Sequence, residues 1–352
     1  MVETNGKKLL NEVDADAVFT TCEYLKRYIT GFLTEGGYVL VDKDGTTLMT
    51  DFRYKEAAEK RFAGTDVTVA MMDRNYNPVE TLKKYKKVAI PFEETSYPEY
   101  ERLKGCGAEL VDCMPAFRKL MAVKSPFELS SIAKACTIAE EGLLKLLPDI
   151  KEGMTETEVA ALLEYNMRTL GAYSTSFDTI VAFGAHAAVP HHETGSKKLK
   201  FGDEILIDFG CRVDGYCSDI TRTFLFGDDK KHEEFKKAYK AVLEAHEAVK
   251  ADLRAGMTGK EADAIARNVL EKYGYAQYFT HSLGHGIGLK VHEFPSLSTR
   301  SEHVLENGMV FSDEPGVYLA GEYGIRIEDT VTLENGKVKS FMSKTDRNLI
   351  IL

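Results

Sequence analysis

Ile150-Lys151-Glu152-Gly153-Met154-Thr155-Glu156-Thr157-Glu158 returns as Leu253-Arg254-Ala255-Gly256-Met257-Thr258-Gly259-Lys260-Glu261, 103 residues further along. In each copy a glycine fits the end of one helix. A threonine followed three residues later by a glutamate then reads as the capping box that opens the next. The pairing continues in order. Gly171-Ala172-Tyr173 parallels Gly274-Tyr275, and Val189-Pro190-His191-His192-Glu193 parallels Lys290-Val291-His292-Glu293-Phe294. Ile207-Asp208-Phe209-Gly210 parallels Asp313-Glu314-Pro315-Gly316, and Ser218-Asp219-Ile220-Thr221 parallels Ile327-Glu328-Asp329-Thr330. Ordered correspondences of this kind indicate an internal duplication. Each half reads as two helices and then strands carrying acids, which predicts a pseudo-two-fold α+β domain whose acids meet at its centre.

Upstream of the duplication, Lys124-Ser125-Pro126-Phe127-Glu128 marks a boundary. Ser125 can cap a helix, Pro126 suits its first turn, and Glu128 completes the box. That helix should run to about Leu147 and stop at Pro148. Before it, Tyr38-Val39-Leu40-Val41 and Thr46-Thr47-Leu48-Met49 flank Asp42-Lys43-Asp44-Gly45 as a hairpin. Lys87-Val88-Ala89-Ile90 and Ala108-Glu109-Leu110-Val111 read as further strands. The expected division is a smaller α/β domain over residues 1–122 and a catalytic domain over residues 123–352.

The bulk numbers narrow the function. A chain of 352 residues exceeds one ordinary core. With Lys+Arg at 45 and Asp+Glu at 55 the net charge is −10, which argues against nucleic acid or an anionic membrane as partner. No apolar run approaches the roughly 20 residues that span a bilayer. The start, Met1-Val2-Glu3-Thr4-Asn5-Gly6, shows no signal-peptide pattern. Six scattered cysteines with no C-x-x-C spacing read as reduced thiols of a cytoplasmic protein, and Cys211 and Cys217 lack the second pair that a zinc site needs.

The acids carry the chemistry. Asp208 closes the run Ile205-Leu206-Ile207, and Asp219 opens another strand. A turn at Asp214-Gly215 would set the two side by side. Glu314 follows Met309-Val310-Phe311. Gly324–Val331 reads as one strand, with Arg326, Glu328 and Thr330 on one face. Four inward carboxylates cannot stay ionised in one pocket without cations, because repulsion and desolvation would raise their pKa values. Two divalent ions balance them, two acids bridging and two capping the ends. A nitrogen ligand is available at His285, flanked by glycines in Gly284-His285-Gly286-Ile287-Gly288. A dinucleotide fingerprint fails because position 289 is Leu, and a zincin helix fails because position 296 is Ser. No G-x-S-x-G elbow occurs.

Taken together, Asp208…Asp219-Ile220-Thr221-Arg222-Thr223…Gly284-His285-Gly286-Ile287-Gly288…Glu314-Pro315-Gly316…Arg326-Ile327-Glu328-Asp329-Thr330 resembles the pita-bread metallopeptidase family M24. Within it the likeness is to the Xaa-Pro peptidases, prolidase and aminopeptidase P. It extends over the whole chain, since Leu48-Met49-Thr50-Asp51-Phe52-Arg53-Tyr54 falls in a stretch similar to a creatinase-type N-terminal domain. The resemblance implies a pita-bread catalytic domain, Asp208, Asp219, His285, Glu314 and Glu328 as ligands to two ions (Mn or Co first, Zn or Fe next), and a homodimer. It further implies His191 and His292 as substrate-binding residues, Glu314 as the group that takes a proton from water and passes it to the leaving nitrogen, and His281 and Arg326 as outer groups linked to proton movement. His191 has a neighbouring histidine at 192, so either ring could face the site.

The implied reaction is hydrolysis of the bond before proline in short peptides. That bond is a tertiary amide without N–H, so a shaped pocket must replace backbone pairing. The rival readings are a methionine-type aminopeptidase, against which the extra N-terminal domain argues, and a non-catalytic homologue, against which the intact ligand set argues. Ser296 stands where some prolidases carry an arginine for a dipeptide's carboxylate, with Arg300 nearby, so dipeptidase and aminopeptidase both remain open.

Overall fold

A computed structural model describes residues 5–73, 76–227 and 232–352. Met1–Thr4, part of the start that shows no signal-peptide pattern, lie outside the described residues. The chain divides into two compact units, Met1–Met121 and Ala122–Leu352.

The first unit is built on a six-stranded mixed sheet in the order Val67–Met71, Gly45–Thr50, Tyr38–Asp42, Ala17–Thr20, Lys87–Ile90, Glu109–Asp112. The anticipated hairpin closes with Asp42 opposite Gly45. Two strands were not anticipated, Ala17–Thr20 and Val67–Met71. Ala17–Thr20 lies in the sheet interior with every residue buried. A short run buried on both faces shows no alternation for a period-two reading to find.

The second unit is α+β, and its two halves repeat the same plan. Pro126–Leu146 packs on Glu156–Thr169, and Glu233–Asp252 packs on Gly259–Lys272. Capping boxes form at Ser125/Glu128, Thr155/Glu158 and Thr258/Glu261. Gly153 and Gly256 differ from their expected place. They sit in the connecting turns, several residues past the helix ends at Leu146 and Asp252, with φ of +88° and +96°. That left-handed backbone is what glycine is needed for.

Each half then contributes a sheet. Glu204–Phe209 is central between Ile180–Phe183 and Ile220–Leu225. Val310–Asp313 lies between Gly284–Gly286 and Asp329–Glu334, with Glu293–Leu297 and Lys337–Ser340 at the edges. The turn at Asp214-Gly215 has φ of +50° and +88° and joins Cys211–Val213 to Tyr216–Cys217. The segment 324–331 is not the single strand expected. Tyr323–Arg326 pairs with Gly316–Leu319, the pairing lapses at Ile327, and Asp329–Glu334 joins Val310–Asp313. At the break Glu328 crosses to the other half, where its N–H donates to the Thr221 carbonyl at 3.1 Å. No disulfide joins any of the six cysteines, and no described helix is long and apolar enough to cross a membrane.

Candidate metal centre

The acids reach one place because each stands where a strand begins, ends or breaks. Asp208 lies in Glu204–Phe209 opposite Thr221, and Asp219 immediately precedes Ile220–Leu225. Thr330 clamps Asp219 by its backbone, accepting from its N–H at 3.0 Å and donating to its carbonyl at 2.7 Å. Glu314 follows Val310–Asp313, its N–H donating to the Leu283 carbonyl at 3.0 Å. His285 lies in Gly284–Gly286, its N–H donating to Ser312 Oγ at 3.0 Å. A side chain at Gly284 would stand 1.9 Å from the Ser312 carbonyl, so only glycine allows this approach.

A cavity of about 710 Å³ contains Asp208, Asp219, His281, His285, His292, Glu314, Arg326, Glu328 and His191, every site residue read from the sequence. Ligand-capable atoms of Asp219, His285 and Glu328 all lie within 4.8 Å of one another. His285 Nε2 is 3.6 Å from Asp219 Oδ2 and 3.3 Å from Glu314 Oε1. Arg326, Glu328 and Thr330 turn to a common side despite the broken strand. Arg326 Nε and Glu328 both meet Thr221 Oγ1, at 3.0 and 2.6 Å, while Thr330 holds Asp219.

The electrostatics test whether cations fit. Burial raises the carboxyl pKa of Asp219 well above its ordinary value, and the charges of Glu328, Asp208 and Glu314 add to it. Burial does the same for Glu328, reinforced by Glu314 and Asp208. Asp208 is also raised by burial, although Arg326 opposes this. Its Oδ2 accepts from Arg326 Nη2 at 2.5 Å, while its Oδ1 is buried with no hydrogen-bond partner. Glu314 goes the other way. Burial would raise it, but the hydrogen bond and charge of His285 bring it down to about 2. Three crowded acids that resist ionisation and an orphaned carboxylate oxygen are what divalent ions would relieve, so the donor set fits a metal site.

Around these lie the histidines. His281 Nε2 meets Tyr318 Oη at 2.9 Å, and Tyr318 Oη accepts from Arg326 Nη1 at 2.7 Å. Tyr318 has no counterpart among the sequence candidates. It stands on Gly316–Leu319, and only the pairing of that strand with Tyr323–Arg326 brings it to Arg326. His292 lies against His285, with ring centroids 4.1 Å apart and planes tilted by 53°. Burial, with the nearby His285, pushes its pKa down to about 4, so it is neutral at pH 7. His191 and His192 both line the cavity, but His192 Nε2 is turned to Glu156 at 3.0 Å.

A duplicated α+β fold that gathers carboxylates and a histidine at its centre defines the pita-bread class of metal-dependent hydrolases. Residues 130–335 match the metallopeptidase family M24, and residues 5–123 match the creatinase/prolidase N-terminal domain. The chain belongs to metallopeptidase family M24. It is 37% identical to the Xaa-Pro dipeptidase of Pyrococcus horikoshii over 98% of each chain. Among solved structures it is similar to the prolidase from Pyrococcus furiosus, with a TM-score of 0.90, 36% identity and coverage of 96% of this chain and 99% of that one. The X-Pro aminopeptidase from Thermotoga maritima aligns with a TM-score of 0.89 and 35% identity over 98% and 99% of the two chains.

Proposed function

We propose that this metallopeptidase hydrolyses the Xaa-Pro bond of short peptides with two divalent ions, Mn(II) or Co(II) first, held by Asp208, Asp219, His285, Glu314 and Glu328. The observation that carries the reading is the convergence of these five donors in one cavity, three of the acids resisting ionisation. When bound, such ions supply Lewis acidity and lower the pKa of water towards about 7.

The chain's own groups do the rest. Glu314 accepts a proton from the attacking water and delivers it to the proline nitrogen. Neutral His292 offers a ring N–H to the developing oxyanion. His191 positions the peptide near the scissile bond. His281, with Nδ1 3.9 Å from Glu314 Oε2 and Nε2 2.9 Å from Tyr318 Oη, is the outer group linked to proton movement at Glu314, and Arg326, which donates to Tyr318 and accepts no proton, fixes the tyrosine beside it. Arg326 keeps its charge beside Asp208 and orients that carboxylate.

Relatives of about equal similarity carry the names dipeptidase and aminopeptidase, and Ser296 in the cavity wall offers no charge to a dipeptide's carboxylate. The decisive assay strips the protein with chelator, restores Mn(II) or Co(II), and compares Xaa-Pro with Xaa-Pro-Yaa. Cleavage of leucyl or methionyl peptides with neither proline substrate touched would replace this reading with a methionine-type aminopeptidase. The same proposal assigns catalysis to residues 123–352, a separate non-catalytic role to residues 1–122, a homodimeric assembly, and a cytoplasmic location suited to six cysteines without disulfides.

A further inference from the structure

Glu156 is the first residue of the helix Glu156–Thr169, and its side chain is fully buried. Nothing in the reaction above uses it. Its carboxylate is the meeting point of four donors. Oε1 accepts from the Phe183 N–H at 3.0 Å and from His186 Nδ1 at 2.8 Å. Oε2 accepts from His192 Nε2 at 3.0 Å and from the Gly195 N–H at 3.0 Å. These donors bracket residues 183–195. The backbone of the same helix start takes hold as well, since the N–H of Glu156 donates to Lys197 O at 3.1 Å and that of Thr157 to Gly195 O at 3.0 Å.

Within the bracketed segment a turn is closed by the His192 N–H donating to Val189 O at 3.1 Å. Pro190 and His191 are its central residues, and proline at the first of these presets the backbone. His191 therefore stands at the tip of the turn, on the cavity wall, while its neighbour His192 is tied back to Glu156.

Glu156, His186 and His192 also have ligand atoms within 4.8 Å of one another, the spacing of a metal site. Both carboxylate oxygens are already filled by N–H donors, however, and the group sits at a helix N-terminus, whose partial positive charge disfavours a cation. Hydrogen bonding is the better account. Among the described residues the duplicated half shows no equivalent device at the matching position. Glycine occupies the matching position, and a side chain at Gly259 would stand 2.3 Å from Ser296 O and 2.6 Å from Ser301 Oγ. The knot is thus particular to the half that carries His191.

We infer that Glu156 is a positioning residue for substrate binding, fixing His191 against the peptide through His192 and the ends of the 183–195 segment. The inference rests on the proposed role of His191. The test is a double-mutant cycle on Ala-Pro and Ala-Pro-Ala hydrolysis by the metal-loaded full chain. E156Q keeps the size of the side chain but cannot accept all four bonds. It should lower kcat/KM about 10- to 100-fold, while H191A/E156Q should lie within about threefold of H191A, because both changes remove one interaction. Metal content of E156Q should stay near wild type, while its melting temperature should fall, because buried donors lose their acceptor. As a second probe, H192L should behave like E156Q, and H192Q, which restores a donor at the same reach, should recover most of the loss. Losses that multiply in the double variant, or an H192Q as impaired as H192L, would overturn the inference while leaving the role of His191 standing. A wild-type kcat/KM for H191A would instead remove that role, and this inference with it.

Discussion

Asp219 and Glu328 show what a single residue contributes at a cost. Burial and mutual repulsion raise both carboxyls well above their ordinary values. A raised folded pKa gives stability that is present below the unfolded value near 4 and is lost as pH rises through the folded value. The metal-free protein is therefore penalised at neutral pH, and bound cations remove the penalty. Metal binding should release protons, visible as a calorimetric heat that changes with the ionisation enthalpy of the buffer. The rise in melting temperature on adding Mn(II) should be larger at pH 8 than at pH 5. E328Q should melt at least about 2 °C above wild type in chelator, yet hold less metal by elemental analysis and lose more than about 100-fold in kcat/KM. A chelated E328Q that melts below wild type would contradict the charge argument.

At the scale of the element, the helix Glu233–Asp252 meets the acids beside Glu314 and Glu328 through buried His246. Asp313 and Asp329 face each other across paired strands, an arrangement that is destabilising for like charges. His246 comes between them, Nδ1 3.0 Å from Asp313 Oδ2 and Nε2 3.6 Å from Asp329 Oδ2. Arg222 and Arg347 pair with Asp329 at 2.9 and 2.6 Å. Burial opposes a charged imidazole, but Asp313 and Asp329 prevail and lift the His246 pKa to about 9. Its contribution is complete below about pH 6.5 and fades as pH rises through about 9, so a plot of melting temperature against pH should fall more steeply over that window for wild type than for H246Q. H246A, which leaves buried Asp313 without its cation while Asp329 keeps Arg222 and Arg347, should cost about 3–5 kcal/mol in denaturant unfolding. The caps are a smaller matter. T155A should cost about 1 kcal/mol, because its capping box is exposed and only a local turn depends on it.

For the whole molecule the question is where one unit can be parted from the other. Val123 bridges to Met309, and Lys124 Nζ sits 2.6 Å from Glu293 Oε1 with both side chains nearly excluded from water. Glu293 adjoins His292, so the first residues of the second unit brace its substrate side. A fragment beginning at Ala122 should fold and take up metal. One beginning at Pro126 should be less stable by a few kcal/mol (~3), since it loses the buried Lys124–Glu293 pair and the Ser125 cap of the first helix. Thermal melts of the two fragments in chelator and in Mn(II) decide this.

The sequence by itself determined the duplicated plan, the helix starts and the set of side chains that meet in the cavity. These are local or repeating signals: a capping box spans four residues, and a duplication shows the same acids twice. The tertiary structure alone decided the rest. Ala17–Thr20 is a strand because neighbours bury both its faces, not because of its own pattern. The chain breaks at Ile327 because Glu328 is drawn to Thr221 in the other half. Tyr318 reaches Arg326 through strand pairing, His246 reaches Asp313 and Asp329 through helix packing, and Glu156, in sequence only the residue after a capping threonine, is turned inward to hold a segment 27 to 39 residues away. Hydrogen bonds and charge pairs across such separations leave no mark on local spacing, since what matters to them is distance in space after the chain has folded.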